Sequence, residues 1–257
     1  MRPLIAGNWK MNGLGGSLAE IASIGRWIAN NRPAADILVC PPFTLIARAA
    51  AVAPDHLRIG GQDCHAEPSG AFTGDVSAEM LNDAGAVAVI IGHSERRHFH
   101  GETDEIVAAK ARAAWRAGLL AIVCVGEKED QHDSGQARNV VRAQIEASLP
   151  QGANPANTAL AYEPVWAIGS GRTPSADEIV SMHGSIRAQL EERLGAGGAL
   201  LRILYGGSVK PANAPTVLSQ ANVGGVLVGG ASLRAEEFAG IIRAAADASS
   251  HDSRFAV

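Results

Sequence analysis

The chain has 257 residues, 47% of them hydrophobic and 19% charged, a balance that supplies a large apolar core and excludes a disordered chain. One hydrophobic core stops growing near that length, yet barrels of alternating strands and helices reach it as a single unit, so residues 1–257 are read as one domain. The formal net charge is −4, with no basic cluster beyond Arg96 and Arg97, which argues against a nucleic acid or an anionic membrane as partner.

Taken in chain order, the first short apolar run is Leu4–Gly7, and Ser17 ahead of an Ala/Ile-rich stretch ending at Pro33 marks the first helix. Further runs follow at Ile37–Cys40, Leu57–Gly60 and Ala86–Ile91. Thr103 with Glu105 opens a helix over Ile106–Trp115. After the runs Leu119–Val123 and Thr158–Ala161, Pro174 precedes a helix start with Ser175 as N-cap and Glu178 closing a capping box. Leu201–Tyr205 and Val223–Val228 complete eight runs. Short runs, apolar on both faces and bounded by Gly, Pro or polar residues, match strands of a buried parallel sheet. Strand-then-helix alternation repeated eight times predicts an α/β fold of the (β/α)₈ barrel type, with an open doubly wound sheet as the alternative. The polar, aperiodic segment Ser249–Val257 is read as a loosely held tail.

Cys40, Cys64 and Cys124 are odd in number, far apart and without a CxxC spacing, which suits a reducing compartment rather than a disulfide framework. Met1-Arg2-Pro3 leads straight into a strand-like run, and no apolar stretch of about 18 residues occurs. A soluble, cytoplasmic protein is the expectation.

In a barrel the active site lies where strands end, so polar residues directly after an apolar run carry the most information. The first run ends Gly7-Asn8-Trp9-Lys10, the fourth Gly92-His93-Ser94-Glu95, and the sixth Tyr162-Glu163-Pro164. Singly, Lys10 reads as a solvated loop lysine, His93 as a hydrogen-bonded histidine at the barrel mouth and Glu163 as an ion-paired carboxylate. Together on one rim they are what removal of a proton next to a carbonyl requires: a base, a hydrogen-bond donor that shuttles protons between oxygens, and a fixed cation. The scattered histidines call for no metal, and no cofactor is implied.

Two glycine-rich turns, Gly206-Gly207-Ser208 and Gly229-Gly230-Ala231, follow the last two runs. They suit a phosphate cradle, because glycine lets backbone N–H groups approach an anion; tight packing is the plainer reading of each. The loop Val165-Trp166-Ala167-Ile168-Gly169-Ser170-Gly171 is apolar with glycines near one end. It is expected either to close over the site as a lid or to pack permanently on the rim.

Along nearly its whole length the sequence resembles triosephosphate isomerases. The segments that carry the resemblance are Gly7-Asn8-Trp9-Lys10-Met11-Asn12, Gly92-His93-Ser94-Glu95-Arg96-Arg97, Ala161-Tyr162-Glu163-Pro164-Val165-Trp166-Ala167-Ile168-Gly169, Tyr205-Gly206-Gly207-Ser208-Val209 and Val228-Gly229-Gly230-Ala231-Ser232. The resemblance implies a TIM barrel and the interconversion of dihydroxyacetone phosphate and glyceraldehyde 3-phosphate in glycolysis and gluconeogenesis. It assigns Glu163 as base, His93 as electrophile, Lys10 and Asn8 to the substrate oxygens, and Gly169, Ser208, Gly229 and Gly230 to the phosphate. Glu95, Ser94, Thr73 and Tyr205 are implied as supporting residues, with 165–171 as the closing lid. It also implies a homodimer, through a Gln62–Val76 loop whose Thr73 braces the partner's site and whose Phe72 a partner would cover.

Departures from the family pattern are Ser170 in place of threonine, Asp75 in place of glutamate and His132 in place of arginine; Cys64 and His65 bring a thiol and an imidazole into the dimer loop. Two other functions fit less well: an isomerase of another small sugar phosphate, such as a four-carbon one, and a catalytically silent phosphometabolite-binding barrel.

Overall fold

The computed structural model describes residues 2–168 and 172–252, with 248–252 as backbone only. The strands are β1 (Leu4–Asn8), β2 (Asp36–Cys40), β3 (Arg58–Gly61), β4 (Ala88–Ile91), β5 (Leu120–Val125), β6 (Thr158–Tyr162), β7 (Arg202–Tyr205) and β8 (Gly225–Val228). Each pairs in parallel with the next, and β8 closes on β1 with Leu4 opposite Gly225 and Gly7 opposite Val228. All eight apolar runs are strands of this (β/α)₈ barrel, and the open-sheet alternative is set aside because its edges would not meet.

Side chains alternate along each strand between two cores. The barrel interior is filled by Leu4, Ala6, Leu38, Cys40, Ala88, Ile90, Ile122, Cys124, Ala159, Ala161, Leu204 and Leu227. The intervening residues, such as Ile5, Val39, Val89, Val123 and Leu160, pack outward against the helices. Alanine and cysteine share the interior evenly with leucine and isoleucine, because eight strands leave a lumen just wide enough for side chains to fill. The same alternation places the site: Leu4 and Ala6 face inward and are followed in phase by Asn8, and Ala159 and Ala161 are followed by Glu163.

Helix ends follow their caps. Thr103 accepts a hydrogen bond from the Ile106 N–H ahead of the helix Asp104–Arg116, and Ser175 and Glu178 form the expected reciprocal box at Ala176–Leu194. Ser17 stands directly before the helix Leu18–Asn31, where the sequence put the helix start. It lies in a 3₁₀ turn, Gly15–Ser17, with its hydroxyl accepting from the Leu14 N–H rather than capping Leu18–Asn31. The last helix, Ala235–Asp252, extends into the segment expected to be a tail; residues 253–257 lie outside the described residues. No helix among the described residues is long and apolar enough to cross a membrane.

Candidate active site

Glu163 follows β6 and keeps the sheet ladder going, its N–H donating to Val125 O at 2.8 Å. Its side chain is buried at the barrel mouth. Space for it depends on Gly206, where a Cβ would stand 2.9 Å from the Glu163 Cγ. Both carboxylate oxygens are engaged: Oε1 lies 2.8 Å from His93 Nε2, and Oε2 accepts the Ser94 N–H at 2.9 Å.

His93 reaches this position because the chain turns out of β4 at Gly92, whose φ of +64° is a left-handed conformation that favours glycine. A Cβ there would also press on Val107 at 2.6 Å. His93 caps the helix Ser94–Phe99, its Nδ1 accepting the Glu95 N–H at 3.2 Å. That contact matches the tautomer with its hydrogen on Nε2, which donates to Glu163. Burial works against the imidazolium, but the Glu163 carboxylate outweighs it and lifts the His93 pKa above its ordinary value, with Lys10 pulling the other way. Burial likewise disfavours the Glu163 anion. His93, the Ser94 N–H and Lys10 overcome this and hold it below the usual carboxylate value.

Lys10 has a φ of +53°, an uncommon backbone state for a side chain of this size that costs about 1–3 kcal/mol. Three bonds hold it there. Its N–H donates to Asn8 Oδ1 at 3.0 Å, while the Gln62 amide donates to Lys10 O at 2.9 Å and to Cys40 O at 2.8 Å. The bend aims the ammonium across the mouth to Glu95 Oε1, 2.6 Å away.

Asn8, Lys10, His93, Glu163, Ile168, Ser208, Gly229 and Gly230 all line one cavity of about 560 Å³. Short 3₁₀ turns at Val165–Ala167 and Gly230–Leu233 flank it. Glu95 and Ser94 serve it from behind through Lys10 and Glu163. Tyr205 is buried under Gly207, with no place in the lining. Thr73 is exposed and away from this chain's cavity. Gly169, Ser170 and Gly171 lie outside the described residues; of the remaining lid, Trp166 and Ala167 are buried and Val165 and Ile168 half-buried.

Two residues escaped the sequence reading as parts of the site. Gln62 figured only as the start of the dimer loop, and nothing local in the sequence marks it as the brace of Lys10. Glu127 stands just after β5, the place where the strand-end rule looks for function. It is buried, and its Oε1 accepts from Trp166 Nε1 at 2.7 Å and from the Tyr162 hydroxyl at 3.0 Å, so it anchors the start of the 165–171 loop. Burial raises its pKa against those donors. His132, the departure from the family arginine, stacks on Trp166 at 4.0 Å between ring centres with Nδ1 3.8 Å from Glu127 Oε1. The Cys64 thiol is buried, and that burial is the main reason its pKa is pushed up to about 12. Among the described residues no three His, Cys, Asp or Glu side chains are placed to hold a metal ion.

The triosephosphate isomerase sequence model matches residues 3–245. The triosephosphate isomerase of Afipia carboxidovorans is 58% identical over 245 residues, covering 95% of this chain and 98% of that protein. The Xanthobacter flavus enzyme of the same name is 58% identical over 244 residues, covering 95% and 97%. The crystal structure of triosephosphate isomerase from Bartonella henselae superposes with a TM-score of 0.90 at 46% identity, covering 95% of this chain and 99% of that one.

Proposed function

This chain belongs to the triosephosphate isomerase family, and on that premise we propose how its residues divide the reaction. It is an aldose–ketose isomerase that interconverts dihydroxyacetone phosphate and D-glyceraldehyde 3-phosphate, a step of glycolysis and gluconeogenesis. Glu163 is the base that takes the proton from the carbon beside the carbonyl and returns it to the neighbouring carbon. His93, with its hydrogen on Nε2, donates to the carbonyl oxygen as negative charge develops and moves a proton between the two enediolate oxygens. Lys10 supplies the fixed positive charge and Asn8 a polar contact. The phosphate sits against the backbone of Ser208, Gly229 and Gly230, with Gly169 completing the cradle from the lid. The observation that carries this reading is the 2.8 Å approach of the His93 and Glu163 side chains, beside Lys10, in one cavity.

The rest of the proposal is assembly and setting. Residues 1–257 form one domain. Met11, Leu14, Phe43, Phe72 and Phe99 are exposed apolar residues, and covering such side chains supports a homodimer built through the 62–76 loop, with Thr73 reaching the partner's site. A cytoplasmic location fits a glycolytic enzyme. Neither the four-carbon substrate nor the silent barrel gains support from the relatives. A coupled turnover assay on three- and four-carbon sugar phosphates tests the reading: rapid turnover of the triose phosphates carries it, and preference for the four-carbon substrate sinks it.

A further inference from the structure

We infer that Lys210 steers the dianionic substrate into the cavity without taking part in the chemistry. This rests on the isomerase reading above. The charged carboxylates and ammoniums lining the cavity are Lys10, Glu163, Lys210 and Glu237. Two of them are already committed inward: Lys10 to Glu95 at 2.6 Å and Glu163 to His93 at 2.8 Å. Lys210 and Glu237 remain as the exposed charges that an approaching ligand meets.

Lys210 is held at its root and free at its tip. Its N–H donates to Asn213 Oδ1 at 2.7 Å, and its carbonyl accepts from the N–H groups of Asn213 and Ala214. Its ammonium has no hydrogen bond or ion pair among the described residues. It follows Ser208 in the turn that cradles the phosphate. Glu237, beside Glu236 in the first turn of the helix Ala235–Asp252, is of opposite sign at the same mouth.

A substrate bearing two negative charges approaches a protein of net charge −4, so an unspent cation at the entrance acts against the overall repulsion. A unit positive charge roughly 10 Å from such a dianion raises its local concentration about threefold at ~10 mM ionic strength and less than about twofold at ~0.15 M.

The test uses the full-length chain with Lys210→Gln, Lys210→Arg and Glu237→Gln, measuring kcat and KM for glyceraldehyde 3-phosphate from ~10 mM to ~0.5 M ionic strength. Lys210→Gln is expected to lower kcat/KM about threefold at the low end through KM, with kcat unchanged and the difference gone at the high end. Lys210→Arg retains the wild-type salt dependence, and Glu237→Gln raises kcat/KM at low salt. Turnover of phosphate-free glyceraldehyde is the same in all four proteins. An active Lys210→Gln enzyme with the wild-type salt slope, or a deficit that persists at high salt, overturns the inference alone. A wild-type chain with no triose phosphate turnover sinks the isomerase reading and this inference together.

Discussion

His93 and Glu163 are joined Nε2 to Oε1 across 2.8 Å, and the Ser94 N–H takes the other carboxylate oxygen. On the proposed division of roles, the base rests against its donor with both carboxylate oxygens engaged. Glu163→Gln keeps the shape of the side chain and removes its basicity. Turnover should fall by at least about 10²-fold while binding of a substrate analogue is largely kept. Near-normal kcat would dismiss Glu163 as the base.

Lys10→Met removes the ammonium paired with Glu95 and leaves that carboxylate without its 2.6 Å partner. Both the Michaelis constant and kcat should worsen, because a cation in a water-poor site acts on bound substrate and on the developing enediolate alike. An unchanged Michaelis constant would count against substrate contact.

Phe72 is 42% exposed in a loop whose residues 67–75 are all exposed. Replacing Phe72 with aspartate should shift the protein toward monomer and lower activity with it, as followed by light scattering after size exclusion. A fully active dimer would place the interface elsewhere.

If the 165–171 loop is a lid, deleting 168–171 leaves Glu163, His93 and Lys10 in place but exposes the enediolate, which expels its phosphate in water. The ratio of inorganic phosphate plus methylglyoxal to glyceraldehyde 3-phosphate should rise. A fixed ratio at a lower rate would mean that the segment packs statically and protects nothing.

His183 is fully buried in the helix Ala176–Leu194, with Nδ1 3.2 Å from Asn222 O and Nε2 without a partner among the described residues. Burial pushes its pKa down to about 4. Below the ordinary histidine value near 6.5 the unfolded chain takes up a proton that the folded chain refuses. Stability is therefore lost as pH falls from about 6.5 toward 4, by roughly 3 kcal/mol at the low end. His183→Gln cannot titrate, so its Tm should vary less with pH across that window than the wild-type Tm. Parallel Tm profiles would show that other groups set acid stability.

Much of this was legible along the chain because it depends on near neighbours. Strand runs, the caps at Thr103 and Ser175, and the phase of side chains along β1 and β6 are local properties. They put Asn8 and Glu163 at the mouth without knowledge of any partner. Barrel closure decided the rest, since it joins residues far apart in sequence: Lys10 to Glu95, His93 to Glu163, and Gln62 to the carbonyls of Lys10 and Cys40. The left-handed backbone of Lys10 has no local signature, because bonds from Gln62 and Asn8 compensate its cost. Ser17 shows the converse. Its residue type suits a helix cap, but the 3₁₀ turn before the helix gave its hydroxyl a nearer donor, the Leu14 N–H.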